Sequence, residues 1–217
     1  MNAPTTRDLP LLPGRSALLL IDLQNYCCHP DGALLTSCPP AERATRFGHY
    51  QRALRESALP NTLRVLAACR AHGVEVLHTY IESLTLDGRD RSLDYKISGI
   101  HAPRGSWEAQ PLDELAPLEN EIRLPKTASS VFNATHIDYV LRNLGVERLA
   151  ICGVMTDQCV ESAVRDACDR GYLVTLLTDC CAALSAERHA QSLLGVRGYC
   201  RQATAQTVID ELAAARS

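Results

Sequence analysis

Short apolar runs recur along the chain and are separated by longer amphipathic stretches. Nearly continuous apolar runs of about four to eight residues are typical of strands buried on both faces of a parallel sheet. The run SALLLID at residues 16–22 is the first of them. The pattern predicts strands over Ser16–Asp22, Val74–Tyr80, Glu121–Leu124, Arg148–Cys152, Leu173–Leu177 and Tyr199–Ala203.

The stretches between these runs show helical periodicity. The clearest is Asp157–Arg170, in which apolar residues fall on one stripe from Val160 to Cys168. Gly171 follows it at the position where helices commonly end. The pattern predicts helices over Leu59–His72, Ala134–Leu144, Asp157–Arg170, Ala186–Leu194 and Thr204–Ala214.

One region has no clear period. Residues 82–121 contain several glycines and prolines, which predicts a long, partly irregular connection of the kind that often closes over a site. Strands that alternate with helices elsewhere predict βαβ units and a parallel sheet. A length of 217 residues suits one domain over residues 1–217, which we therefore expect.

Composition narrows the class of partner. The formal net charge of −3 argues against a nucleic-acid-binding face, which needs clustered cations. The longest apolar stretches are too short to span a membrane, and residues 1–13 are polar and proline-rich without a signal-peptide core. The ten cysteines fall mostly in predicted strands and core stripes, so we expect free buried thiols in a cytoplasmic protein that binds neither nucleic acid nor membrane.

Three reactive side chains follow predicted strands. Ligands of open parallel sheets bind beyond the carboxyl ends of the strands, so residues just after strands are candidates for chemistry. Asp22 ends the first strand, Lys126 follows the strand that ends at Leu124, and Cys159 lies shortly after Cys152. Lys126 is one of only two lysines in the chain. The three residues are expected to meet at one edge of the sheet.

Cys159 has the strongest local argument. The turn GVMTDQC leads from a strand into a helix, with Thr156 as the expected N-cap and Cys159 in the first helical turn. The free N–H groups there are expected to lower the pKa of the thiol. Cys168 lies on the core stripe and is expected to be inert. The residues alone also allow a simpler interpretation, in which Cys159 is a small core residue, Asp22 a turn residue and Lys126 a solvated one.

No cofactor pattern is present in the sequence. It contains neither a GxGxxG fingerprint nor a GxxxxGK loop. Adjacent cysteines at Cys27–Cys28 and Cys180–Cys181 do not have the spacing of a zinc site. We therefore expect no metal and no cofactor.

Residues 16–34 and 123–179 resemble the isochorismatase-like cysteine hydrolase superfamily. Its members include nicotinamidases, N-carbamoylsarcosine amidases, biuret hydrolases and ureidoacrylate amidohydrolases. The family's catalytic aspartate, lysine and cysteine fall on Asp22, Lys126 and Cys159. The resemblance implies an α/β fold, a Rossmann-like three-layer sandwich with a parallel sheet of about six strands flanked by helices. It also implies a cis peptide between Val154 and Met155, an oxyanion hole formed by the N–H groups of Met155 and Cys159, and a homodimer or homotetramer.

Two departures from parts of the family refine the expected activity. The branch that cleaves a vinyl ether lacks the cysteine that is present here, which favours amide chemistry. The Asp-x-His metal motif of nicotinamidases is absent after the second strand. We expect a cysteine-dependent amidohydrolase that cleaves the C–N bond of a small amide or ureido compound through a thioester. Two alternatives stay open: a catalytically silent binding protein, and a thiol redox protein in which Cys27 or Cys28 approaches Cys159.

The expected substrate contacts come from two places. Residues that flank the triad in sequence, and residues at or near the start of the long connection, can reach a ligand at the strand ends. Cations in the connection would suit a substrate that bears a carboxylate. The candidates are Gln24, Asn25, Tyr26, Tyr80, Glu82, Arg91 and Asn133.

Overall fold

A six-stranded, wholly parallel sheet forms the centre of the molecule in the computed structural model, which describes residues 6–215. The strand order is β3-β2-β1-β4-β5-β6. This sheet, flanked by helices, confirms the predicted α/β fold. The strands are β1 (Ser16–Ile21), β2 (Glu75–Ile81), β3 (Ile122–Lys126), β4 (Arg148–Val154), β5 (Leu173–Ala182) and β6 (Arg201–Ala203).

The helices form two groups that pack around the sheet. In one group, α4 (Leu59–Ala71) packs against α10 (Ala205–Ala214). In the other, α8 (Glu161–Asp169) packs against both α6 (Val131–Ala134) and α9 (Ala186–Val196). The remaining helices are α1 (Asn25–Cys28), α2 (Ala33–Thr36), α3 (Pro40–Ala53), α5 (Leu93–Ile97) and α7 (Ile137–Asn143).

Helices α1 to α3 were not predicted, and the predicted helix over Ala134–Leu144 is divided between α6 and α7. Only Phe47 and Tyr50 of the fourteen residues in α3 are buried, so its apolar stripe is too thin to mark a helix in the sequence. A π-helical turn over Leu54–Ala58 joins α3 directly to α4.

We expected Lys126 to follow β3, but it is the last residue of that strand. The strand therefore runs through Pro125, which has no N–H to donate. This is tolerated because β3 is an edge strand, with a hydrogen-bonded neighbour only on the β2 side.

The connection over residues 82–121 is partly irregular, as predicted. It contains α5 and two 3₁₀ turns, Trp107–Ala109 and Asp113–Leu115. Buried Gln24 ties this segment to the sheet: its Nε2 donates to the carbonyls of Ile81 and Glu108, each at 2.9 Å. The connection is thereby fixed across the carboxyl ends of the strands.

The order of the strands places a crevice between β1 and β4. The chain proceeds from β1 outward to β3 and then returns to β4 on the other side of β1. The neighbouring strands β1 and β4 are therefore followed by connections that lead toward opposite edges of the sheet. Gly153, with φ +124°, permits their close approach, since a Cβ there would lie 2.0 Å from the Ile21 carbonyl oxygen. Asp22 and Met155 leave the sheet on the two sides of this crevice.

Among residues 6–215, no helix is long and apolar enough to cross a bilayer. All ten cysteines are free thiols, nine of them buried and Cys168 half-buried.

Candidate active site

The three reactive side chains predicted from the strand ends converge in the structure. Lys126 Nζ lies 2.9 Å from Asp22 Oδ2 and 3.4 Å from Cys159 Sγ. The charge of Asp22 also acts on Cys159, where it raises the pKa of the thiol. All three are buried, with exposed fractions of 0% for Asp22 and Lys126 and 6% for Cys159.

Asp22 is held in an unusual backbone conformation. Its φ is 55°, in the left-handed region that few residues other than glycine adopt and that is often found at functional sites. Its N–H continues the sheet pairing by donating to the Thr79 carbonyl at 2.9 Å. Lys126 approaches Oδ2 at ion-pair distance, yet neither carboxyl oxygen has a well-aligned hydrogen bond from the described residues. Burial raises the pKa of Asp22, and the charge of Lys126 opposes this rise.

Lys126 is fixed by several acceptors. Its register in the sheet is opposite Ile81, the last residue of β2, and its side chain extends toward the crevice. Nζ donates to Tyr95 Oη at 3.0 Å and to the Ala128 carbonyl at 3.1 Å. Burial alone would lower the pKa of Lys126, but the adjacent Asp22, Cys159 and Tyr95 raise it well above its usual value. Lys126 is therefore a permanent cation in this site.

Cys159 lies in a π-helical turn, Thr156–Val160, that opens into α8. The expected capping role of Thr156 was wrong: the turn has no side-chain cap, and Thr156 Oγ1 instead lies 2.9 Å from His189 Nδ1. The expected direction of the thiol pKa was also wrong. Burial raises the pKa of Cys159 to about 11, although Lys126 acts to lower it. Loss of hydration outweighs the helix N-terminus at this depth.

A cavity of about 500 Å³ opens onto the sulfur and the carboxyl group. Asp22 and Cys159 line it together with Met155, which follows the cis peptide that the resemblance implied after Val154. Its volume suits a small molecule. Its other wall residues include Tyr26, Arg46, Phe47, Asp94, Tyr95 and Gln158.

Of the seven expected substrate contacts, the structure brings only Tyr26 to this cavity. Gln24 is occupied by its bonds to the connection. Asn25 is also occupied, because its Nδ2 donates to the Trp107 carbonyl at 2.9 Å. Neither of these two residues lines the cavity wall.

The other four expected contacts are placed elsewhere. Tyr80 Oη accepts from Arg123 Nε at 2.5 Å, and Glu82 Oε1 accepts from the Gly105 N–H at 2.8 Å. Arg91 donates to the carbonyls of Gly88 and Ile100 and so holds the connection in shape. Asn133 is exposed, on α6.

Arg46 and Phe47 were not expected at the cavity, because both lie on α3, which was not predicted. Tyr95 lies in the connection that was expected to cover the site, but its contact with the triad depends on the folded path of that segment. Gln158 was visible in the turn before Cys159.

Within the described chain, no group of three or more His, Cys, Asp or Glu side chains is arranged to hold a metal ion. Asp22, whose free oxygens could otherwise be ligands, is paired with a cation. The chemistry of this donor set is that of proton transfer and nucleophilic attack.

Two ureidoacrylate amidohydrolases are similar to the chain in sequence. Ureidoacrylate amidohydrolase RutB of Rhizobium rhizogenes is 28% identical over 191 residues, covering 79% of this chain and 72% of that protein. RutB of Caulobacter vibrioides is 29% identical over 179 residues, covering 79% and 78% respectively.

Solved structures have the same architecture. A cysteine hydrolase from Pseudomonas syringae pv. phaseolicola superimposes with a TM-score of 0.82 at 25% identity, covering 99% of this chain and all of that one. N-carbamoylsarcosine amidase from Thermoplasma acidophilum gives 0.68 at 23% identity, covering 88% and 96%, a likeness of fold alone. Residues 16–208 match the family model of the Isochorismatase domain. Because this match spans most of the chain, the protein belongs to the isochorismatase family, as its resemblance in sequence predicted.

Proposed function

We propose that the protein is a cysteine-dependent amidohydrolase that cleaves the C–N bond of a small amide or ureido compound. The observation that carries this proposal is a buried ammonium that contacts both a carboxyl group and a thiol, which together line a small-molecule cavity. The names of the RutB relatives and of the cysteine hydrolase structure support a hydrolase that acts on C–N bonds.

The first step is attack by the sulfur of Cys159. The raised pKa of the thiol keeps it protonated at rest, so a base must remove its proton as the S–C bond forms. Asp22 is suited to this task, because burial raises the pKa of its carboxyl and makes it a stronger base than an exposed aspartate. Lys126 stays charged and stabilises first the carboxylate and then the developing thiolate.

The second step breaks the C–N bond. The carbonyl oxygen becomes an oxyanion that accepts from the N–H groups of Met155 and Cys159. Asp22 returns its proton to the leaving nitrogen, which departs as ammonia or an amine and leaves a thioester on Cys159. Water, with its proton taken by Asp22, then cleaves the thioester and restores the thiol.

Arg46 indicates a substrate that carries a carboxylate. Its guanidinium lies 5.2 Å from the centre of the Phe47 ring at the cavity wall and has no ion-pair partner among the described residues. Asp94 also lines the cavity and repels an anion, so the carboxylate of the substrate is expected on the Arg46 side. We therefore place small ureido or amide acids first among the candidate substrates.

The direct test is a panel of ureido acids, N-carbamoyl amino acids and simple amides, assayed for release of ammonia or amine. With an active compound, rapid acid quenching and peptide mass spectrometry are expected to find the acyl or carbamoyl group on Cys159. Turnover with no adduct on Cys159, at quench times that resolve a single cycle, would contradict the thioester route.

Replacement of Arg46 by glutamine is expected to raise KM for ureido acids by about tenfold, the scale of one lost charge-assisted hydrogen bond. The corresponding neutral ureido amides should be affected by less than about twofold, because they present no carboxylate. Arg43→Gln, on the same helix but not on the cavity wall, is the matched control. Equal losses for acids and amides would show that Arg46 does not bind the carboxylate of the substrate.

The predicted cytoplasmic location and homo-oligomeric state remain predictions.

A further inference from the structure

We propose that Tyr95 is a fourth catalytic residue, whose hydroxyl group donates to the sulfur of Cys159 as the thiolate forms. This inference rests on the proposed function, in which Cys159 is the nucleophile. Tyr95 belongs to the connection over residues 82–121. Through this contact, the segment that lies over the site would also contribute a group to the reaction.

The direction of the hydrogen bonds supports this role. Tyr95 is 1% exposed, and its Oη lies 3.0 Å from Lys126 Nζ and 3.8 Å from Cys159 Sγ. A lysine ammonium has donors and no acceptor, so Lys126 must be the donor in the first contact. The hydroxyl proton of Tyr95 is then free for a second partner. Among the described residues, that partner is Cys159 Sγ.

The number of protons on Lys126 shows why a second donor is needed. An ammonium has three protons, whereas Lys126 Nζ has four neighbouring acceptor groups: Tyr95 Oη, the Ala128 carbonyl, Cys159 Sγ and Asp22 Oδ2. It cannot donate fully to all of them. A buried thiolate with only a shared donor would be poorly stabilised, and the phenol supplies a further proton at the sulfur.

Tyr95 also remains a donor throughout the cycle. Burial raises the pKa of its phenol, and the neighbouring Cys159 and Asp22 add to that rise while Lys126 opposes it. The hydroxyl group therefore keeps its proton and acts by hydrogen bonding, without becoming a base.

The backbone fixes this side chain next to the catalytic strand. The Tyr95 N–H donates to Ser92 Oγ at 3.2 Å, which caps α5. The Ser92 N–H in turn donates to the carbonyl of Thr127, the residue after Lys126, at 2.9 Å. The connection is thus attached to the chain on the far side of the same lysine, which positions the phenol over the sulfur.

The test compares Tyr95→Phe with wild type in the rate at which iodoacetamide alkylates Cys159, followed on the Cys159 peptide by mass spectrometry. Only the thiolate reacts, so below the thiol pKa the rate rises about tenfold per pH unit. Loss of the donor is expected to lower the Cys159 rate about tenfold at every pH from about 7 to 9, equivalent to a rise of about one unit in the thiol pKa. With an active substrate, kcat should fall similarly while KM changes little.

Tyr50→Phe is the matched control. Tyr50 is also fully buried, its Oη donates to the Cys27 carbonyl at 3.0 Å, and it lies 3.7 Å from Cys28 Sγ. Its loss should leave the alkylation rate of Cys159 unchanged. An unchanged rate in folded Tyr95→Phe, or an equal fall in Tyr50→Phe, would overturn the role of Tyr95.

A second measurement avoids dependence on one variant. Replacing all tyrosines by 3-fluorotyrosine makes each phenol a stronger donor, and it is expected to speed alkylation of Cys159; no change would again contradict the contact. These results are separable from the proposed function. Turnover that survives in Cys159→Ala would show that Cys159 is not the nucleophile. The alkylation rate reports on the contact between Tyr95 and the sulfur whether or not a substrate is turned over.

Discussion

Cys159→Ala is expected to lower kcat by at least about 1,000-fold, because the variant has no atom that can form the thioester. The cavity, the proposed oxyanion donors and the Asp22–Lys126 pair do not depend on the sulfur, so substrate binding should be retained. Truncation of one buried sulfur is expected to cost no more than about 1 to 2 kcal/mol of stability. The measurements are product release under saturating substrate, and urea denaturation.

Cys168→Ala provides the control for this experiment. Cys168 is on α8, beyond the same turn, and its sulfur bonds the Tyr199 carbonyl at 3.4 Å, well away from the cavity wall. Its replacement should leave kcat within about twofold of wild type, because a half-buried thiol outside the site contributes only packing. Comparable turnover in the two variants would show that the sulfur of Cys159 is not the nucleophile.

The positions of Asp22, Lys126 and Cys159 could be predicted because they depend on a rule of the fold. Parallel strands end at one edge, so residues at the ends of β1 and β3 and after β4 are brought together whatever their distance in sequence. The apolar runs that define those strands are visible in the sequence. The strand pattern therefore predicted that the three residues lie at one edge of the sheet, and the resemblance to the family singled them out as a catalytic set.

The electrostatic state of the site could not be predicted in the same way. The location of Cys159 near a helix start suggested a lowered pKa, but burial raises it to about 11. Burial depends on everything packed above the sulfur, including Tyr95 and the rest of the connection, and no local pattern reports it. A thiol that is protonated at rest needs a base to remove its proton, which is the role proposed for Asp22.

The cavity wall was the least predictable part. Arg46 and Phe47 come from a helix whose surface is mostly polar, and amphipathic analysis finds a helix only where a broad apolar stripe exists. Gln24, Asn25 and Arg91 were expected to contact the substrate because of their proximity in sequence or their charge. Each instead bonds backbone carbonyl groups of the connection. Gln24 and Asn25 are buried, and buried polar groups need such partners.

Lys126→Met is expected to destabilise the protein by about 3 to 5 kcal/mol at pH 7, since it leaves the carboxylate of Asp22 buried without its cation. Asp22→Asn should be similarly costly, because it leaves the ammonium unpaired. The double variant Asp22→Asn/Lys126→Met removes both charges and should lose much less than the sum of the two single losses. Urea denaturation of the four proteins measures this coupling.

The dependence on pH distinguishes this electrostatic cause from a loss of packing. In Lys126→Met the charge that opposes the raised pKa of Asp22 is gone, so the folded-state pKa lies further above the unfolded value of 3.8. A raised carboxyl pKa penalises the folded state at every pH above the unfolded value, most fully above the folded-state pKa, and the penalty disappears as pH falls toward about 4. The deficit of Lys126→Met relative to the double variant should therefore shrink between about pH 7 and pH 4. A deficit that stays constant over this range would mean that it does not arise from ionisation of Asp22, and that Asp22 is not a buried carboxylate at neutral pH.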